Sequence, residues 1–132
     1  MKILQVTNKV PYPPKDGGTV AVLNMGKGLA EQRHEVHLFA INTSRHYVPR
    51  SQLNGALSYY SSIRTAYLNT DISASDAAKN LFLSRLPYNY ERFYGYSVNG
   101  ALRKFLLDEQ FDVVLLEGLF LLPYLPEIRQ NT

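Results

Sequence analysis

A proline- and glycine-rich loop at residues 8–18 carries the residue types in this 132-residue chain that are best suited to chemistry. Three prolines stiffen the loop, and Gly17-Gly18 at its end permits close approach of a ligand to the backbone. The helix expected to follow adds free amides and a dipole that favour phosphate. The loop therefore predicts a phosphate site, although a Gly-Gly pair that serves only to make the turn is an open alternative.

Two further candidate residues follow apolar strands. Asn8 comes directly after the first strand, and Glu117 comes directly after the run of four apolar residues at 113–116. Ligands of open α/β sheets bind beyond the carboxyl ends of the strands, near the point where strand order reverses. We therefore expect the loop, Glu117 and the segment from Asn42 onward to converge in space. Glu117 can also be explained simply as the end of a strand.

The elements that position these residues alternate between strands and helices, which is typical of an α/β fold. The pattern predicts a Rossmann-like open parallel sheet of order 3-2-1-4 with helices on both faces, in a single domain spanning 1–132. A strand should follow the last helix, so we expect the domain to be incomplete at its C-terminus. The predicted strands are 2–7, 35–41, 63–68 and 111–116, and the predicted helices are 19–32, 51–60, one capped by Ser73 or Ser75, one capped by Ser97, and 119–129.

Composition limits the function classes. Net charge is +3, but the basic residues are scattered, which favours a solvated surface over a nucleic-acid site. Weak attraction to anionic lipid or to phosphorylated substrates stays open. The chain has no cysteine and no apolar run approaching about 20 residues, so we expect a cytoplasmic protein.

Three common phosphate-binding classes are excluded by spacing. A tight G-x-G-x-x-G after the first strand is absent, and no acidic residue follows Ile41, which argues against a dehydrogenase. The phosphate-loop motif of nucleoside triphosphatases, G-x-x-x-x-G-K-[ST], is not matched, because Lys27 is followed by Gly28 and lies within the predicted helix. A phosphoacceptor receiver module would need acidic residues where Thr7 and Asn8 stand.

The order of several motifs resembles the acceptor-side, N-terminal domain of GT-B glycosyltransferases, particularly the retaining family 4 group. These motifs are the strand K-I-L-Q-V, the loop P-x-P-P-x-D-G-G, R-H-E-V before the second strand, the segment 71–92, and F-D-V-V-L-L-E-G at 111–118. The resemblance covers nearly the whole chain. It implies the truncated N-terminal half of an enzyme whose second α/β domain is missing here.

The resemblance implies transfer of a sugar, with retention, from a nucleotide-sugar donor to a glycan or lipid-linked acceptor. It assigns Gly17, Gly18 and Thr19 to the donor's phosphate or sugar. It assigns Asn8, Glu117 and Tyr94 to the acceptor.

The catalytic residues of such an enzyme are expected beyond Thr132, so the fragment alone should be inactive. The resemblance implies no metal and no organic cofactor. It leaves open a peripheral contact with the inner face of the cell membrane.

The sequence departs from the family pattern at one visible position, and a second function stays open. Arg33 replaces the usual glycine of G-H-E-V at a position suited to left-handed backbone, which predicts mild strain. The histidines, including His34 and His37, are interpreted as surface or turn residues. The alternative function is a non-catalytic Rossmann-like domain that binds a phosphorylated metabolite or a protein partner.

Overall fold

The computed structural model describes residues 1–53, 55–71 and 92–132. The predicted helix after Ser73 or Ser75 lies outside the described residues. The strands are β1 (Lys2–Thr7), β2 (Glu35–Thr43), β3 (Ser62–Leu68) and β4 (Val113–Glu117). The helices are α1 (Gly17–Glu31), α2 (Tyr96–Asp108) and α3 (Leu125–Asn131), with 3₁₀ turns at Ser44–His46, Arg50–Gln52 and Leu119–Tyr124.

The four strands form one parallel sheet in the order β3-β2-β1-β4, which confirms the predicted topology. The central strand β1 pairs with β2 on one side and with β4 on the other. The chain proceeds outward from β1 through β2 to β3 and then crosses to the opposite side of β1. The order therefore reverses between β1 and β4, and this is the switch point of the sheet.

Helices cover both faces of the sheet because β1 and β2 are apolar on both faces. One core joins α1 to Val36, Leu38 and Ala40 through residues such as Leu23 and Leu29. The other joins α2 and α3 to β1, β2 and β3, and contains Leu4, Val6, Phe39, Ile41, Ala66, Leu102, Phe105 and Tyr124. Full burial of each large apolar side chain stabilises the fold by about 1.5–3 kcal/mol.

Helix α1 begins at Gly17, two residues before the predicted start, because Asp16 caps it. The Asp16 carboxylate accepts a hydrogen bond from the Thr19 amide, and the Thr19 side chain accepts one from the Asp16 amide. At the other end, Arg33 donates its amide to Ala30 and has a φ of 66°, which confirms the predicted left-handed backbone.

The two glycines inside α1 differ in their surroundings. A Cβ at Gly26 would lie 2.3 Å from the Tyr60 hydroxyl and 2.8 Å from Gln5 Oε1, whereas a Cβ at Gly28 would meet nothing within 4 Å. Close contact between helix and sheet therefore explains the glycine at position 26. It does not explain Gly28.

Three predicted element boundaries are wrong. Residues 51–60 do not form a helix: a 3₁₀ turn at Arg50–Gln52 is followed by turns. Their buried side chains Leu53, Leu57 and Tyr60 pack on the α1 side of the sheet, so the apolar pattern reflects packing of an irregular segment. Ser97 is not a cap, because α2 begins at Tyr96 with Gly95 at its N-cap.

The predicted helix 119–129 is split into a 3₁₀ turn and α3. Pro123 lies inside the turn, where it has no amide to donate and its ring opposes an α-helical hydrogen-bonding pattern. The α-helix then starts at Leu125, with a second proline in its first turn. Within the described ranges, no helix is long and apolar enough to cross a membrane.

Candidate functional site

A cleft of about 360 Å³ lies at the switch point, between the carboxyl ends of β1 and β4 and the first turns of α1. We call it the switch-point cleft. It brings together four of the predicted site residues, Asn8, Gly18, Thr19 and Glu117. Ala21 and Val22 of α1 add an apolar wall. The expected convergence of the loop and Glu117 is confirmed.

Two predicted site residues do not line this cleft. Gly17 adjoins it at the start of α1, and no atom would lie within 4 Å of a Cβ there. Tyr94 packs against the core on the α2 and α3 face, with its ring 5.4 Å from that of Tyr124. Its role toward an acceptor stays a prediction.

The catalytic residues expected beyond Thr132 lie outside the described residues, and their location stays a prediction. Thr132 itself caps the end of α3, where its hydroxyl donates to the Ile128 carbonyl at 2.7 Å.

The segment from Asn42 onward converges with the β1–α1 loop at a neighbouring pocket, which Arg45 and His46 line, but it does not line the cleft itself. Asn42 is buried, its Nδ2 donates to the Val48 carbonyl at 2.8 Å, and its Oδ1 accepts from the Val48 amide at 3.0 Å. This pair of hydrogen bonds fixes the turn that follows β2.

Glu117 is held by a buried polar chain that the sequence analysis missed. Gln5 is 0% exposed at the centre of β1, and its Nε2 donates to Glu117 Oε1 at 2.9 Å and to the Val22 carbonyl at 3.1 Å. Its Oε1 accepts from the Tyr60 hydroxyl at 2.6 Å. A polar residue inside an apolar strand, as in K-I-L-Q-V, was the available signal, because buried amides require partners.

The Tyr60 hydroxyl sets which groups donate and which accept along this series of hydrogen bonds. Burial raises the pKa of the Tyr60 hydroxyl far above its ordinary value, so the hydroxyl is a proton donor. Its donation to Gln5 Oε1 turns the amide nitrogen toward Glu117, which presents an acceptor oxygen. Among the described residues, the second carboxylate oxygen of Glu117 has no hydrogen-bond partner, and the side chain is only partly buried. This oxygen is available to a ligand.

The start of α1 already holds an anionic group. The Asp16 carboxylate accepts from Lys9 Nζ at 2.5 Å and from the Thr19 amide at 2.9 Å. The hydrogen bond from Lys9, followed by that from the Thr19 backbone, lowers the pKa of Asp16 to about 2. The amides of Gly17 and Gly18 have no acceptor within the helix. A phosphate at this position would therefore be bound by two amides, not three.

The Thr19 hydroxyl already makes several hydrogen bonds within the helix cap. Its hydroxyl donates to the Asp16 carbonyl at 2.8 Å and accepts from the Lys15 and Asp16 amides at 3.2 Å. Thr19 lines the cleft, but its polar atoms serve the helix cap. Its contact with a donor stays a prediction.

His37 was predicted as a surface or turn residue, and this is wrong. It is 3% exposed, and its ring lies between Ser62 Oγ at 2.7 Å and Glu35 Oε1 at 3.0 Å. The ring also meets Phe105 and Phe111 edge to face. Because β2 is covered on both faces, every side chain after Glu35 in this strand is buried whatever its polarity. His37 lies at the amino end of the sheet, away from the cleft.

The described ranges contain no group of three or more histidine, aspartate or glutamate side chains placed to hold a metal ion. Comparison with known proteins adds no relative: no family model, no curated protein and no solved structure matches the chain.

Proposed function

We propose that this chain is the acceptor-side domain of a retaining, family 4-like GT-B glycosyltransferase, which moves a sugar from a nucleotide-sugar donor to a glycan or lipid-linked acceptor. One observation carries the proposal. The cleft at the switch point joins a glycine-rich helix start to a carboxylate with one unoccupied oxygen. This is where open parallel sheets bind nucleotides and sugars.

The described residues have binding roles in this proposal. The Gly17 and Gly18 amides, aided by the helix dipole, stabilise negative charge on the donor's diphosphate. The free oxygen of Glu117 accepts a hydrogen bond from an acceptor hydroxyl, and Asn8 lies beside it in the cleft. None of these residues is assigned to bond cleavage.

The test is an NMR titration of the ¹⁵N-labelled chain with uridine diphosphate glucose and guanosine diphosphate mannose. We expect shifts in the amides of Gly17, Gly18 and Ala21 and in Glu117. Gly18→Leu should abolish these shifts because its side chain fills the approach to the backbone. Gly28→Leu is the matched control, since that position of α1 faces open space.

Shifts confined to residues outside the cleft, or equal loss in both variants, would contradict the donor site. Binding of phosphorylated metabolites without any preference for sugar nucleotides would favour the non-catalytic alternative. Because this chain alone is expected to be inactive, sugar transfer is measured with the intact enzyme by mass spectrometry of the acceptor. Transfer would distinguish an enzyme from a binding domain.

A further inference from the structure

A second pocket, of about 140 Å³, lies beside the switch-point cleft. The β1–α1 loop and the 3₁₀ turn Ser44–His46 form its walls. Basic side chains from both segments line it, so we call it the cationic pocket. Its lining includes Lys9, Tyr12, Lys15, Asp16, Arg45 and His46.

The charges in this pocket do not cancel. Asp16 is its single carboxylate among the described residues, and it already accepts hydrogen bonds from Lys9 and the Thr19 amide. Lys15 and Arg45 have no ion-pair or hydrogen-bond partner for their charged groups within the described ranges, and both are exposed. Two cations on converging segments therefore face one small pocket without an internal counter-charge, an arrangement that attracts an anion.

The pocket is contiguous with the cleft, because Lys9 and Thr19 line both. Asp16 also lines the pocket, and its carboxylate is bonded to Lys9 and to the Thr19 amide. Lys15 and Arg45 are therefore the pocket's available cations, and the pocket and the cleft can hold separate anionic groups.

We propose that the cationic pocket binds a phosphate group of the acceptor while the cleft receives the donor. This assignment rests on the proposed function. The Arg45 guanidinium can bind two phosphate oxygens at once, and Lys15 adds a point charge. The acceptor would thus be a phosphorylated glycan or a phosphate-linked lipid carrier whose hydroxyl lies toward Glu117.

The experiment is an NMR titration of the chain with inorganic phosphate at constant ionic strength. The double variant Lys15→Gln/Arg45→Gln should weaken phosphate binding by at least about tenfold, because the two hydrogen bonds from Arg45 and the charge of Lys15 are lost. The control, Lys104→Gln/Arg129→Gln, removes the same charge from exposed positions on α2 and α3. It should leave the dissociation constant unchanged.

Uridine diphosphate added to the phosphate-saturated chain identifies the source of the anion. Shifts of Gly18 and Ala21 with no loss of phosphate from the pocket would support an acceptor site. Displacement of phosphate from the pocket would overturn the proposal, since the pocket would then hold the donor's diphosphate. Equal weakening in the two double variants, or no phosphate shifts at Arg45 and His46, would also overturn it. Phosphate binding without any response to nucleotide would overturn the proposed function and leave the phosphate site intact.

Discussion

The two ends of the parallel sheet differ in how their charged side chains are paired. At the amino end, Lys2 pairs with Glu109 and lies 4.0 Å from Glu35, and Arg64 pairs with Asp108 at 2.9 Å. At the carboxyl end, Lys15, Arg45 and one oxygen of Glu117 have no partner among the described residues. The amino end is therefore neutralised internally, whereas the carboxyl end keeps polar groups available to ligands.

The pairing of Lys2 with Glu109 at the amino end also changes their pKa values. A hydrogen bond to Glu109 raises the pKa of Lys2, and the same contact lowers the pKa of Glu109. Lys2 and Glu109 thus stabilise each other's ionised forms. Charged side chains that pair with one another in this way contribute to the fold and are not available to bind a substrate. We expect mutations at the amino end to change stability alone.

The largest expected effect is that of Phe105→Ala at the amino end. Phe105 is fully buried, and the Arg64 guanidinium lies 4.2 Å above its ring. Truncation should lower the free energy of unfolding by about 3–5 kcal/mol because it leaves a cavity. Urea denaturation measures this loss. Nucleotide affinity of the folded fraction should stay unchanged, and a parallel loss of affinity would break the division between the two ends.

At the carboxyl end, Gln5→Leu should affect both properties. It leaves the buried Tyr60 hydroxyl without its acceptor and releases Glu117, so we expect a destabilisation of about 2–3 kcal/mol. Nucleotide or acceptor analogues should also bind more weakly because Glu117 is no longer oriented. Glu117→Gln, which keeps an acceptor oxygen toward Gln5, is the control and should change stability by less than about 0.5 kcal/mol.

The paired glycines of α1 test where the helix is fixed to the sheet. Gly26→Ala should destabilise by about 1–3 kcal/mol because its Cβ displaces Tyr60 from Gln5. Gly28→Ala should stabilise by about 0.5–1 kcal/mol through helix propensity alone. Thermal denaturation of the two variants gives the comparison. Similar values for both would show that the contact at Gly26 is not tight.

A smaller gain is expected from Arg33→Gly at the amino end. Left-handed backbone costs a non-glycine residue about 1 kcal/mol, and glycine relieves this cost. The melting temperature should rise while ligand binding is unaffected. A fall in melting temperature would mean that the Arg33 side chain makes a stabilising contribution larger than the backbone strain.

The smallest effect is the pH dependence of Asp16. Its pKa is lowered from 3.8 to about 2, so its ionised form stabilises the fold above pH 3.8. This contribution is lost as the pH falls toward 2. The difference in melting temperature between the native chain and Asp16→Asn should therefore be largest near neutrality and vanish at about pH 2. A difference independent of pH would contradict the pairing with Lys9.

The strand order was predictable because buried parallel strands are continuous apolar runs, and those of β1, β2 and β4 are unmistakable. The structure of residues 51–60 was not predictable, because Leu53 and Leu57 have helical spacing although they are buried side chains of an irregular segment. Gln5 was overlooked and His37 was wrongly placed at the surface because their partners, Glu117 and Ser62, are distant in sequence. Convergence of Asn8 and Glu117 followed from strand direction, whereas the position of Tyr94 depended on packing of Tyr124.

The buried chain from Glu117 through Gln5 to Tyr60 has a practical consequence. Tyr60 also lines a separate surface pocket, together with Ser62 and Thr65 of β3, and the chain contains no tryptophan. A ligand that draws Glu117 away from Gln5 changes the hydrogen bond that the tyrosine donates to the Gln5 amide. The Tyr60 ring resonances, once assigned among the ten tyrosines of the chain, should therefore report occupancy of the cleft at a distance from the ligand.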